Sequence, residues 1–216
     1  NVYEYDYDES SNVITRTSGT SAIETRYNAR GLIISQPNTS NTSSLQFSYD
    51  AMNRQKQRYQ DSTFLLSYTF KPLGMVDTFT DPFSLIVGYD YNNLNRMEKI
   101  TAETDEYGYN YYDDGMLESI TYPQTANGVL KSSYIYDNLN RVTSITTKLN
   151  NTPINSLSYT YDANSNIETE TRNGSETIYT YDSRNRLKTV DYGLETVEYE
   201  YDDMGNRYKE TDGNNN

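Results

Sequence analysis

A short string returns ten times in this chain: an aromatic, two residues later a second aromatic, then most often Asp, two variable residues, and Gly, Asn or Ser. The second aromatic, the anchor of each copy, falls at Tyr7, Tyr27, Tyr49, Phe70, Tyr91, Tyr111, Tyr136, Tyr161, Tyr181 and Tyr201, at spacings of 20, 22, 21, 21, 20, 25, 25, 20 and 20 residues. A period this short and this persistent means one supersecondary unit stacked on itself, so the chain is an array and not a globule around a single pocket. The repeat fills nearly all 216 residues, placing an array over 1–210 and a polar tail over 211–216 and leaving no room for a separate catalytic domain.

Each copy reads as a β-hairpin. The position after the anchor is Asp8, Asp50, Asp137, Asp162, Asp182 or Asp202 in six copies and Asn28 or Asn92 in two, with Lys71 and Tyr112 as exceptions. Three residues on comes Gly31, Gly74, Gly115, Gly205, Asn53, Asn95, Asn140, Asn185, Ser11 or Ser165. An acceptor side chain at the first corner and a residue tolerating φ > 0 at the fourth is the preference of a type I turn, and Pro72 at the second corner fits its fixed φ. Pro37, Pro82, Pro123 and Pro153 lie between hairpins, where no ladder N–H is required.

Ahead of the turn, pairs such as Tyr89/Tyr91, Tyr109/Tyr111 and Tyr199/Tyr201 put two rings on one strand face, giving two columns of aromatics once the repeats stack. The second copy alone lacks the partner ring, having Thr25. After the turn the chain restarts on an apolar residue, and in five copies another follows three residues later, as in Leu117/Ile120 and Val142/Ile145. Three is the wrong step for a flat strand, which implies either a bulge or a contribution to both faces. The two 25-residue spacings come from polar insertions near 123–128 and 150–153, expected as loops together with Gln36 to Ser44; helix is expected nowhere.

Composition sharpens this reading. Only 34% of residues are hydrophobic and net charge is −13, values that would suit a disordered chain. The 24 tyrosines, 17 of them in the repeated pairs, supply large amphipathic surfaces that pack while keeping a hydroxyl satisfied. Cys, His and Trp are absent, which excludes disulfides, thiolate or imidazole metal sites and every His-dependent base or triad. Acidity makes nucleic acid and anionic membranes poor partners, and no apolar run reaches membrane-span length. The start, within a strand pattern at Val2 to Tyr5, reads as cut from something longer.

The strings Tyr161-Asp162-Ala163-Asn164-Ser165-Asn166-Ile167, Tyr181-Asp182-Ser183-Arg184-Asn185-Arg186-Leu187 and Tyr201-Asp202-Asp203-Met204-Gly205-Asn206-Arg207 resemble the YD repeats of Rhs proteins, wall-associated bacterial proteins, toxin-complex cocoon subunits and teneurins. The match runs over residues 3 to 210. The resemblance implies an all-β fold of tandem β-hairpins joined into a continuous antiparallel strip that spirals as a segment of a hollow shell. It also implies a structural, non-enzymatic role in a larger secreted or surface-delivered bacterial toxin protein, enclosing or presenting a toxin. Open strands with unpaired N–H and C=O groups are expected to pair with further repeats of the parent protein or with another chain. Nothing in the chain resembles the Rhs core that closes such shells and cleaves off the toxin.

The alternative is a cell-surface adhesin or carbohydrate-binding module, with the tyrosine columns stacking on sugars. Against it, strict periodicity is what the sheet itself requires. The repeated Asp reads as a turn cap and not a calcium ligand, because Asp-x-x-Asn lacks dense carboxylates, so no metal and no cofactor are expected. Arg54, Arg96, Arg141 and Arg186, which follow the turn Asn, are expected to stack on rings or pair with turn carboxylates. No two carboxylates stand out as a glycosidase pair, and the acceptor triplets beginning at Asn38, Asn41 and Asn173 suit chance in so Asn-rich a chain.

Overall fold

The computed structural model describes residues 3–10, 13–18, 21–37 and 43–213, and these contain strands and turns but no helix. The chain divides into two units, Asn1–Asp105 and Glu106–Asn216. In the first, β1 (Glu4–Tyr7), β2 (Val13–Ser18) and β3 (Ser21–Glu24) form a three-stranded antiparallel sheet. A second antiparallel run follows in chain order through β4 (Arg26–Tyr27), β5 (Ile33–Pro37), β6 (Ser44–Tyr49), β7 (Gln55–Gln60), β8 (Thr63–Phe70), β9 (Val76–Thr80), β10 (Ile86–Tyr91) and β11 (Met97–Ala102). The second unit is a meander of β12 (Asp105–Tyr111), β13 (Leu117–Thr121), β14 (Leu130–Tyr136), β15 (Val142–Leu149), β16 (Thr152–Tyr161), β17 (Ile167–Arg172), β18 (Ser175–Tyr181), β19 (Leu187–Asp191), β20 (Thr196–Tyr201) and β21 (Arg207–Asp212). The all-β, antiparallel hairpin array expected from the period is therefore present in both units.

The break between β3 and β4 falls at Thr25, the position where the second copy lacks its ring. Thr25 is buried, and its amide donates to Ile14 O at 2.6 Å, so hydrogen bonding continues across the break although the ladder does not. A small β-branched side chain fits that enclosed spot where a tyrosine would need room for its ring.

The three-residue apolar step resolves as a bulge. Tyr111 pairs with Leu117, Asn110 with Ser119 and Tyr109 with Ile120, leaving Glu118 as the extra residue. One inserted residue returns Leu117 and Ile120 to the face of the two rings they pair with. The same shift sits beside Tyr7, Tyr27, Tyr49, Phe70, Tyr91, Tyr136, Tyr161, Tyr181 and Tyr201. One face thus carries the aromatics and their apolar partners, such as Val76/Phe79 and Leu187/Val190. The other carries small polar side chains, with Thr69 and Thr78 hydroxyls 2.7 Å apart, Thr160 and Thr169 at 2.7 Å, and Thr180 and Thr189 at 2.6 Å.

The aromatic face makes no ordinary core: among the described hydrophobic residues only Val190 is buried. Rings instead cover one another sideways, as in Tyr68 against Phe79 at 5.3 Å between centroids and Tyr107 against Tyr122 at 6.2 Å. Such half-buried contacts retain much of the apolar gain of burial while leaving a polar edge for hydrogen bonds.

The ends of the strands differ from the simple loop reading. Asp81-Pro82-Phe83-Ser84-Leu85, which joins β9 to β10, repeats the anchor-turn geometry on the opposite rim: Asp81 Oδ1 accepts the amides of Phe83 at 2.8 Å and Leu85 at 2.9 Å, and Ser84 has φ 69°. Pro82 is the second corner of that turn. Pro37 and Pro153 stand inside strands, Pro153 beside a register shift between Thr147 and Lys148 where the ladder is already interrupted. The two insertions meet each other: the Asn150 amide donates to Val129 O at 2.8 Å and its Oδ1 accepts from Val129 N at 3.1 Å. Gly128, at φ 127°, is required there, because a Cβ would lie 2.3 Å from Asn150 Oδ1. Strand β21 runs through Asp212, and the Gly213 amide donates to Thr196 O at 3.0 Å.

Candidate functional site: the seam between repeats

Within each unit the residues singled out by the motif gather along one rim, where each turn meets the next anchor. In the turn at Asp137, the amide of Asn140 donates to Asp137 O at 3.0 Å and that of Asp137 to Arg141 O at 2.9 Å, with Asn140 at φ 62°. This is a type I turn closed by a residue in the left-handed region. Asp137 Oδ1 accepts the amides of Leu139 at 2.8 Å and Arg141 at 3.0 Å, satisfying two donors the turn leaves open. Asp50 does the same for Met52 and Arg54, and Asp182 for Arg184 and Arg186. Asp162 accepts from Asn164 and Asn166, Asp202 from Asn206, and Asp8 from Ser10. The side-chain oxygens of Asn28 and Asn92 take the same part.

The second carboxylate oxygen is used as well. Arg54, Arg141 and Arg186 each donate Nε to Oδ2 of their own turn aspartate at 2.7 Å. Their guanidinium carbons then lie 4.2 Å above the Phe70 ring, 4.4 Å above Tyr161 and 4.4 Å above Tyr201. The arginine of one repeat is thereby clamped between its own carboxylate and the anchor ring of the next. Lys71, which stands where most copies have Asp, pairs with Asp77 and Asp90 at 3.2 Å and approaches the Tyr91 ring at 5.9 Å.

A second link runs through the anchor hydroxyls. Tyr49 donates to Ile33 O at 2.7 Å, Tyr136 to Leu117 O at 3.0 Å, Tyr161 to Val142 O at 2.6 Å, Tyr181 to Ile167 O at 2.9 Å and Tyr201 to Leu187 O at 2.8 Å. The acceptor in every case is the residue at the start of the bulge one repeat earlier. The bulge disturbs the ladder beside that carbonyl, and the tyrosine of the following repeat bonds to it. This explains a hydroxyl at the anchor where phenylalanine would fill the same volume. Tyr7 is exposed and Tyr27 half-buried, while Tyr91 and Tyr111 pair with Met97 and Leu117 across their hairpins.

The titration behaviour of the seam follows. Asp182 is held down to about 2, chiefly by the Arg186 side chain and then by backbone amides. Asp162 and Asp202 are lowered mainly by the side chains of Asn166 and Asn206. For Asp50 and Asp137 partial desolvation pushes upward, and the bonds from Arg54 and Arg141 together with backbone amides outweigh it, leaving both below the usual carboxylate value. Burial pushes the phenols of Tyr49, Tyr91, Tyr136, Tyr161 and Tyr181 above the ordinary tyrosine value.

Chemically, this arrangement holds repeats together. Its carboxylates are occupied by amides and guanidinium groups, and among the described residues no three His, Cys, Asp or Glu side chains gather as a metal site. Among the described residues no helix is long and apolar enough to cross a membrane. The sequence pattern pointed to the aspartates and arginines; the hydroxyl-to-bulge bonds, spanning 14 to 19 residues, carry no signature beyond the choice of Tyr over Phe. The triplets at Asn38 and Asn41 and the turn residue Ser11 fall outside the described residues. Asn173 uses its Oδ1 to accept the Ser156 amide at 2.7 Å.

Comparison with solved structures finds the same fold in far longer chains. The crystal structure of TcdB2-TccC3-Cdc42 superposes with a TM-score of 0.64 at 13% identity, over 95% of this chain and 15% of that one. The crystal structure of TcdB2-TccC3 gives 0.64 at 14% identity, over 95% and 16%. The Photorhabdus luminescens Tc holotoxin pore gives 0.58 at 14% identity, over 97% and 16%. The chain therefore spans about one-sixth of the length of these structures. A comparison with curated proteins returns no match. The family model for the teneurin YD-shell matches residues 1–133 and 125–215, which covers the repeats from the first anchor to the last, and the chain belongs to that family.

Proposed function

We propose that this chain forms part of the wall of a protein shell within a larger secreted or surface-delivered bacterial protein of the Rhs toxin type, and that the wall encloses or presents a toxin. The observation that carries this reading is the seam. The arginines Arg54, Arg141 and Arg186 and the hydroxyls of Tyr49, Tyr136, Tyr161, Tyr181 and Tyr201 are spent on fastening one hairpin to the next, which is what a wall requires and what a binding platform does not. The work is non-enzymatic: carboxylates already saturated by amides and guanidinium groups are poorly placed to serve as acid, base or nucleophile.

The carbohydrate-binding alternative draws no support from three of the anchor rings. Arg54, Arg141 and Arg186 lie over faces of Phe70, Tyr161 and Tyr201, the surfaces a sugar would need. Partners in the shell reading are further repeats joined by strand pairing, where backbone N–H and C=O groups at a sheet edge template another strand.

The test is protease protection of the parent protein. A toxin segment behind the wall should survive trypsin while the protein is native and be digested once mild denaturant opens the sheet. Equal digestion in both conditions would reject enclosure.

A further inference from the structure

The sixth repeat departs from the commonest form of the motif at both ends of its seam. There Tyr112 stands where six copies have Asp, and Met116 stands where Arg54, Arg141 and Arg186 supply the guanidinium; the fourth repeat also has a methionine there, Met75, but its Lys71 brings a cation of its own to the seam. At that interval the second unit has an open groove of about 680 Å³ lined by Tyr112, Asp113, Asp114, Met116, Ile135 and Tyr136, among others. Ile135 is 55% exposed, and it is the only apolar residue at its position, just before the anchor; other copies have Asp6, Arg26, Ser48, Thr69, Asp90, Asn110, Thr160, Thr180 or Glu200 there.

We propose that this groove takes the side chain of an arginine in an extended peptide segment. The chain supplies its own precedent for the chemistry: three other seams hold a guanidinium 2.6–2.7 Å from a carboxylate oxygen and 4.2–4.4 Å above an aromatic centroid. In the sixth repeat the carboxylates have moved one and two positions along the turn, to Asp113 and Asp114, and the chain brings no cation of its own to the +5 position. Asp114 uses one oxygen to accept the Met116 amide at 3.0 Å, and both aspartates are exposed. Tyr112 leans edge-on against Tyr136 at 6.2 Å and donates to Tyr134 O at 2.8 Å, which fixes the groove wall. An arginine entering here lays its aliphatic stem on Ile135 and Met116 and its planar head between the two aspartates. Charge complementarity selects it over an acidic or neutral segment, and the apolar floor selects it over a free cation.

The inference stands apart from the shell reading, since such a groove would bind a peptide whether or not the chain forms a wall. The probe is the blocked pentapeptide acetyl-Gly-Ile-Arg-Ile-Gly-amide, titrated to millimolar concentration into the full 216-residue chain with amide NMR shifts as the readout. Saturable shifts confined to the amides around Tyr112–Met116 and Ile135–Tyr136 are expected, weakening as salt is raised. The same peptide with citrulline for arginine should bind roughly tenfold more weakly, since a charge-assisted bond becomes a neutral one. The double variant Asp113→Asn with Asp114→Asn keeps the turn acceptor and should lose the same factor. Met116→Arg should fill the groove from within and abolish the shifts while preserving the spectrum elsewhere. Equal binding by the citrulline peptide, unchanged binding to the double variant, or no shifts with the arginine peptide each overturns the proposal.

Discussion

The anchor hydroxyl offers the sharpest check on how the repeats are fastened. Tyr161→Phe removes one oxygen, the donor to Val142 O at 2.6 Å, and leaves the ring under Arg141 in place. The loss is then confined to one hydrogen bond, whose net worth is about 0.5–1.5 kcal/mol. Val142 O keeps only what solvent can reach at a half-buried seam, which places the expected cost near 1 kcal/mol. Phe70 provides the reverse experiment, because it is the one anchor without a hydroxyl, and Phe70→Tyr should place an oxygen at Gln55 O, the equivalent bulge carbonyl. Repeat arrays need not unfold in one step, so hydrogen exchange is a better assay than a single melting temperature. A change of about 1 kcal/mol corresponds to roughly fivefold faster exchange for the Val142 bulge and the Tyr161 hairpin, with distant hairpins unaffected. Phe70→Tyr should slow exchange around Gln55 by a similar factor. If both variants exchange like the parent at these positions, the hydroxyls do not fasten the repeats.

Three other outcomes follow from the same seam. Asp182 has a folded value of about 2, below its unfolded one, so its stabilising contribution is complete above about pH 4 and is lost as pH falls toward 2; far-UV circular dichroism melts across that window should show the loss, and Asp182→Asn should flatten it. The tyrosines raised by burial have the opposite sign: their contribution is intact below the unfolded value near 10 and disappears as pH rises through the higher folded values, so alkaline unfolding should coincide with phenolate absorbance. Arg141→Lys removes the bidentate fork over Tyr161 and the bond from Nη1 to Ser165 Oγ at 2.9 Å, and should speed exchange in both adjoining hairpins while Lys188→Arg, outside any seam contact described above, changes nothing.

Much of this architecture was legible in the residues, and the limits have physical reasons. The period of about 21 gave the array, and the Asp-to-Gly/Asn interval gave the turn, because both are local preferences of the backbone. The apolar step of three gave a choice between a bulge and a two-faced strand; pairing registers such as Tyr109 with Ile120 were needed to decide it. The turn at Asp81 lacks a preceding pair of aromatics and so is not marked by rings, although Asp-Pro-x-Ser carries the same turn chemistry. The bond from Tyr161 to the previous repeat and the docking of Asn150 on Gly128 depend on how hairpins lie side by side, and spacing along the chain does not encode that. The exceptional sixth repeat was visible as an exception at Tyr112, but its groove required the arrangement of Ile135 and Met116 around it.

The most direct test of the shell reading is electron cryomicroscopy of the longest natural protein that contains these repeats. The account predicts a hollow particle whose wall includes residues 3–213 as adjacent hairpins, with every seam turn aligned along one rim. A solid stalk or a filled globule, or these repeats arranged away from any enclosing wall, would contradict it.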